Sequence, residues 1–341
     1  MTAMGAVLCI ATVAACQSSL ASVPAATVSA PAAASSIAPS NVTPTSEPTP
    51  GISLPATAVP STTLTSPSPS VTTPPIATST LAPPTGHGLH WRNAGRKVKH
   101  QHAVAIARPA GSSIAMMWMN PELLSFRFIP GYRFPEAGKS RSIDNKPTSW
   151  VPSMVAAFNG AFELKDHAGG YAYNGQVIRP LVNGLGSIVI STTGTMDVVT
   201  WKTGSHLPAD ALVVRQNLRP LVHHGKAMAT RADGPATWGL ANGGLAHANR
   251  TAVGERADGS IVFAYGSEVT AAALADALVQ AGVREAVVLD MNKSWPTGFV
   301  YDRARHKHPP VGHRILPQIW RDPSTYYQRF IKDFVVATAA S

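Results

Sequence analysis

Two nearly consecutive stretches, "NRTAVGERADGSIVFAYG" (Asn249–Gly266) and "TAAALADALVQAGVREAVVLDMN" (Thr270–Asn292), decide how this chain folds. The first reads as a hairpin: Thr251 and Val253 alternate into a turn at Ala257-Asp258-Gly259, and Ile261-Val262-Phe263 leads back out. The second opens as a helix. Thr270 offers an N-cap hydroxyl, while Leu274, Ala277, Leu278 and Ala281 recur on one face. Gly282 stands at the C′ position, where left-handed backbone favours glycine. A short apolar strand, Ala286-Val287-Val288-Leu289, then stops at Asp290. A carboxylate at the carboxyl end of a buried strand, after a crossover helix, lies where α/β layers gather ligand-contacting groups.

This order resembles the phosphodiester glycosidase family, the family of the mammalian enzyme that uncovers mannose 6-phosphate. There an "RTAIG…DG" hairpin precedes a helix and a strand ending in "LDGGGS". Upstream, "MVAAFNGAF" (Met154–Phe162) is similar to the family's "NGGFF" strand end, with Asn159 on the Asn and Ala161 replacing the second Gly. "GYAYNGQVIRPL" and "GSIVISTTGTMDVVTW" resemble the two hairpins that follow it. "VVRQNLRPLVHHG" (Val213–Gly225) resembles the segment before the "RTAIG" hairpin in an actinobacterial subgroup, which also writes "LDIN" where this chain has "LDMN". The resemblance runs from about Met154 to Tyr301. It departs at Met291 and Asn292, which replace glycines through which backbone could approach a substrate closely.

Outward from this region the composition changes. Ala3 to Ala15 is an apolar run too short to span a bilayer, and Val13-Ala14-Ala15-Cys16 resembles a bacterial lipobox, in which Cys16 becomes the lipidated first residue. The alternative is an ordinary signal peptide cleaved after a small residue. Met1 to Gly5 lacks the Lys or Arg of a basic n-region, which leaves open a start upstream of Met1. The only two cysteines are Cys9 and Cys16, so the exported domain is expected to have no disulfide, thiolate metal site or cysteine nucleophile. From Gln17 to about Gly86 the chain is Ser, Thr, Pro, Ala and Val with one charge, Glu47, and no aromatic residue. Such a segment cannot bury enough apolar surface to offset ordering, and it is expected to be a disordered tether.

A domain follows from His87 to Ser341, long enough for a substantial core. The positive excess behind the chain's net charge of +10 sits wholly on it. Arg92, Arg96, Lys97 and Lys99 cluster early, and Arg303, Arg305, Lys307 and Arg314 late. This favours an anionic neighbour, a phosphate-containing cell-wall glycan or glycolipid or acidic headgroups, or it is simply a solvated basic surface. Nucleic acid is disfavoured, because no binding motif for it appears.

Strands are expected at His102–Arg108, Ile114–Met119, Leu124–Ile129, Met154–Phe158, Tyr171–Tyr173, Gln176–Arg179, Ser187–Ser191, Asp197–Trp201 and Leu212–Arg215. Asn174-Gly175 is the strongest two-residue hairpin turn. A second helix is expected from Ser324 to about Ala337, from the spacing of Tyr327, Phe330, Ile331 and Phe334. The layout is α+β, mostly antiparallel strands with few helices in a single domain.

Among the acids, Asp197, Asp233 and Asp258 sit at turns and Asp276 and Glu268 on or near the helix. Asp290, Glu163 and Asp166 remain. Asp290 is expected to be partly buried, where a carboxylate must be compensated. It either serves chemistry or pairs with Arg250 to satisfy both. Arg250 matches the family's Arg, and a guanidinium can take two phosphate oxygens at once. Arg215 and Asn217 are candidates of the same kind. Asn159 either binds a sugar hydroxyl or merely turns the chain, and Asn292 can offer a side-chain amide. His223 and His224 are adjacent, and neighbours on a strand point to opposite faces, so they are not expected to share an ion. His306, His308 and His313 lie in a basic loop. No metal or cofactor is expected, and "GxSxG", "HExxH" and P-loop patterns are missing. The resemblance implies a hydrolase of sugar-1-phosphodiesters; with the lipobox at Cys16 and the acids left by elimination, the expectation is a lipid-anchored envelope enzyme with Asp290, Arg250 and Glu163 in catalytic roles. The alternative is a cell-wall polymer binder that keeps the fold without catalysis.

Overall fold

The computed structural model describes residues 78–86, 88–133, 146–166, 168–239, 245–292, 294–303 and 308–341, all within the unit Thr72–Ser341. Cys16, the tether to residue 77 and His306 lie outside the described residues.

The hairpin of the opening stretch pairs Ala248–Arg256 with Ile261–Val269, and Asp258 closes its turn by accepting from the Ser260 amide at 3.0 Å. It forms the centre of an eight-stranded sheet. In spatial order the strands are Arg92–Val98, Gln101–Ala107, Ile114–Met119, Ile261–Val269, Ala248–Arg256, Val283–Val288, Val222–His223 and Lys226–Ala227. Ile261–Val269 and Val283–Val288 both run antiparallel to Ala248–Arg256 between them, so they are parallel to each other. The helix Ala271–Gln280 makes the crossover. Thr270 caps it by accepting from the Ala273 amide at 3.1 Å, and Gly282 leaves it with φ +78°. Leu274, Ala277, Leu278 and Ala281 are all buried. Thr270→Ala is expected to lower stability by about 1 kcal/mol in urea unfolding, the usual value of an N-cap hydroxyl.

The central strands carry near-continuous apolar runs because both faces are covered. Met117, Phe263 and Val287 face one core, while Met116, Trp118, Val262, Ala264 and Val288 face the other with the helix.

Two five-stranded sheets complete the fold. One holds Gln176–Arg179, Tyr171–Tyr173, Ala211–Gln216, Gly186–Ser191 and Met196–Thr200. Asn174 and Gly175 both have positive φ in its first hairpin, as a two-residue turn matched to strand twist requires. The other orders Gly312–Arg314, Gly298–Tyr301, Met154–Asn159, Phe334–Ala339 and Leu124–Ile129. Every strand pairing among the described residues is antiparallel.

The expected helix from Ser324 to Ala337 is not formed. A short 3-10 turn covers Pro323–Tyr327, capped by Asp322, and Phe334–Ala339 is a strand between Met154–Asn159 and Leu124–Ile129. Val335, Val336 and Thr338 are β-branched and fit a strand buried on both faces. The helical spacing of Phe330 and Phe334 reflects an aromatic cluster about Tyr326, whose ring stacks on Phe334 at 4.2 Å and meets Phe330 edge-on, while Tyr327 packs on Tyr301.

Candidate active site

Three chain segments meet at Asp290. Its amide donates to the Gly160 carbonyl at 2.9 Å, and its carbonyl accepts from Asn159 Nδ2 at 3.1 Å and Thr251 Oγ1 at 3.3 Å. The Gly160 amide in turn donates to the Asp333 carbonyl at 3.0 Å. A Cβ on Gly160 would come within 2.5 Å of the Asp333 carboxyl, so this close approach requires glycine. The strand ends of Met154–Asn159 and Val283–Val288 are thereby fixed against Lys332-Asp333, just ahead of Phe334–Ala339.

The Asp290 side chain is buried, with the residue 3 % exposed. Oδ1 accepts from the Asn292 amide at 2.9 Å, and Oδ2 is ion-paired with Lys332 Nζ. Burial pushes the carboxyl up to about 6; Lys332 opposes that shift and the Asp333 charge adds to it. Lys332, 4 % exposed, also lies 3.6 Å from Glu163 Oε1, and Glu163 Oε2 pairs with Lys165 at 2.7 Å. Two carboxylates thus share one ammonium. The indole of Trp295 backs that ammonium at 5.3 Å. Asp290, Glu163, Lys332, Lys165, Asp166 and Asn292 all open onto a cleft of about 480 Å³, walled on its apolar side by Phe162 and Leu218.

Asn292 is exposed there, and its side-chain amide can meet a bound molecule. The other expected contacts have different jobs. Asn159 is buried: its Oδ1 accepts from the Thr297 amide at 3.0 Å and its Nδ2 donates to the Asp290 and Gly160 carbonyls, so it ties backbone rather than sugar. Asn217, also buried, donates to the Val288 carbonyl at 2.6 Å and accepts from the Phe162 amide at 3.3 Å. Arg215 is buried on Asp333 at 3.0 Å and also donates to the Phe162 carbonyl. It positions both flanks of the cleft from behind.

Arg250 does not pair with Asp290. Its guanidinium donates to the Val269 and Trp238 carbonyls, each at 3.1 Å, and to the Ala246 carbonyl, while Met291 Sδ lies 3.4 Å from Nη1. Burial lowers its pKa. It faces a second cleft of about 420 Å³, which the first turn of the helix, Thr270 to Ala273, also lines. Met291 stands in the way of a shared site: its sulfur touches Arg250 and packs against Gly239, which lines the Asp290 cleft. The cation at Asp290 is therefore Lys332, which sequence reasoning does not single out. The one signal for it is a Lys-Asp pair directly ahead of a β-branched run.

The histidines depart from expectation as well. His224 has φ +51° and turns the chain, so both rings reach the same carboxylate, Glu285. His313 pairs with Asp302 at 2.9 Å on the surface.

A family model described as phosphodiester glycosidase matches residues 153–294. No protein of curated function matches the chain. Among solved structures, one similar chain is the zebrafish N-acetylglucosamine-1-phosphodiester α-N-acetylglucosaminidase catalytic domain, auto-inhibited by its pro-peptide. It is 12 % identical with a TM-score of 0.42, over 74 % of this chain and 89 % of that one. Another is a hypothetical protein from Synechocystis, 11 % identical with a TM-score of 0.36, over 76 % of this chain and 64 % of that one.

Proposed function

We propose that this chain, whose residues 153–294 match a family model described as phosphodiester glycosidase, cleaves sugar-1-phosphodiesters of a phosphate-containing glycan or glycolipid at the outer face of a bacterial envelope. The observation that carries the reading is the convergence of Asp290, Glu163 and Lys332 in one cleft. A binder needs only a groove. A hydrolase needs ionisable groups held against each other, and two carboxylates bracketing an ammonium meet that need.

The chemistry follows from these groups. Water adds to the anomeric carbon, the carbon–oxygen bond to phosphate breaks, and the phosphate leaves as an anion. Such a leaving group needs a cation more than a strong acid, and Lys332 with Lys165 supplies it at the cleft. Asp290, ionised above about pH 6, accepts the proton of the attacking water or faces the oxocarbenium-like centre. Glu163 is the second carboxylate. Beside the site, Arg321 lies over the rings of Trp295 and Phe330 at 4.8 and 4.7 Å and next to Trp320, which is 72 % exposed. Flat aromatic faces beside a cation suit a sugar phosphate.

The test is release of reducing sugar from sugar-1-phosphodiester model compounds. Purified protein that releases none, while binding the glycan, would favour the non-catalytic binder. The envelope location rests on "VAAC" at Val13–Cys16. Expressed in a bacterium that lipidates exported proteins, Cys16→Ala is expected to move the protein from the membrane to the soluble fraction. Unchanged fractionation would remove the anchor from the reading.

A further inference from the structure

We infer that His223, His224 and Glu285 form a divalent metal site of the zinc class at the edge of the eight-stranded sheet. The hairpin from Val222–His223 to Lys226–Ala227 brings them together. Val222 pairs with Ala286, which places His223 beside Glu285, and the left-handed His224-Gly225 turn (φ +51° and +76°) swings the second ring back over the first. His223 Nδ1 lies 2.9 Å from Glu285 Oε2 and His224 Nδ1 lies 3.3 Å from Oε1, and the three ligand atoms all fall within 4.8 Å of one another. The imidazole rings are 3.9 Å apart and only 35° from parallel.

Two imidazolium ions would repel each other at that separation. One divalent ion instead takes a lone pair from each ring and an oxygen from the carboxylate between them. Two nitrogens and one oxygen suit zinc, with water as a fourth ligand, whereas magnesium and calcium prefer oxygen alone. The carboxylate is already oriented: Thr200 Oγ1 donates to Oε2 at 2.9 Å and the His224 amide to Oε1 at 3.0 Å. Outer hydrogen bonds of this kind fix a ligand before the metal arrives. Across the strand pair, Glu255 stands opposite Glu285 and interacts with Asp197, while Lys226, paired with His223, and Arg284, beside Gly225, bring positive charge to the same corner.

The site is separate from the Asp290 cleft, which none of the three residues lines. Glu285 and Asp290 are five positions apart along one extended segment, roughly 16 Å at strand spacing. A metal here would clamp the edge hairpin and the Thr200 end of Met196–Thr200 onto Val283–Val288. Its role is to stabilise rather than to react.

Untagged, chelator-stripped protein should be titrated with zinc chloride by calorimetry and melted with and without zinc. One equivalent bound and a raised Tm are expected, with cobalt giving the visible absorption of a four-coordinate site. His224→Ala is the decisive variant. At 68 % side-chain exposure it should keep the metal-free Tm while weakening zinc binding by at least about a hundredfold. No zinc heat and no Tm shift in the wild type would overturn the inference, as would wild-type stoichiometry and affinity in His224→Ala.

Discussion

Asp290→Asn is expected to lower kcat on a sugar-1-phosphodiester by a factor on the order of a hundred or more, with little change in KM. Asparagine keeps the shape, the Asn292 amide still finds an acceptor, and the backbone ties to Gly160, Asn159 and Thr251 do not involve the side chain. What disappears is the charge. The wild-type rate should fall on the acid side with an apparent pKa of about 6, since burial lifts the carboxyl there against the pull of Lys332. The same shift has a signature in stability. The folded state holds this proton more tightly than the unfolded chain, so the contribution is complete below the ordinary value of 3.8 and is lost as pH rises through about 6. Urea midpoints measured from pH 4 to 7.5 should therefore move in favour of the Asn variant as pH rises. A folded Asp290→Asn protein with wild-type turnover would show that the reacting carboxylate is elsewhere, with Glu163 next in line.

How much of this was legible in the sequence follows from which interactions are local. The hairpin about Asp258, the capped helix and the Asn174-Gly175 turn are written within a few residues, and the structure has each of them. The position of Asp290 at its strand end was equally readable, because an apolar run that stops at a carboxylate is a local pattern. Its partner was not. Lys332 is 42 residues away and reaches Asp290 only because Phe334–Ala339 inserts beside Met154–Asn159. The same stretch misled the helix expectation: Phe330, Ile331 and Phe334 recur at helical intervals, yet the β-branched Val335-Val336 outweighs that spacing once both faces are buried. Arg250 shows the opposite failure. It lies close to Asp290 in the fold, since the Thr251 hydroxyl bonds the Asp290 carbonyl, but side-chain direction separates them, and Met291 stands against the guanidinium. Conversely, Asn159, Arg215 and Asn217 have chemistry that suits a ligand, and only burial reveals that backbone and Asp333 already use it.

That distinction gives the largest stability effect expected. Arg215→Ala should cost about 3–5 kcal/mol in urea unfolding, the usual penalty for removing one partner of a buried ion pair. Both members are almost wholly enclosed: Arg215 is 2 % exposed, as is Asp333. Deleting the guanidinium strands the Asp333 carboxylate and also removes a donor from the Phe162 carbonyl. Burial already pushes the Asp333 carboxyl above its ordinary value, with Arg215 the main opposing influence and Lys332 a smaller one. Without Arg215 that proton is held still more tightly, so the loss should be smallest in acid, where Asp333 is neutral, and grow as pH rises. Replacing both partners, as Arg215→Met with Asp333→Leu, should recover part of the stability, because the pair's desolvation cost goes with it. Catalysis should follow a different rule. Phe162, Glu163 and Lys332 all line the cleft, and Arg215 grips the backbone of Phe162 and the Asp333 carboxylate next to Lys332. The double variant should thus regain folding yet remain slow, with kcat lowered more than KM is raised. A substrate-binding Arg215 would give the reverse pattern, a protein of unchanged stability with a raised KM, and that result would return Arg215 to the cleft.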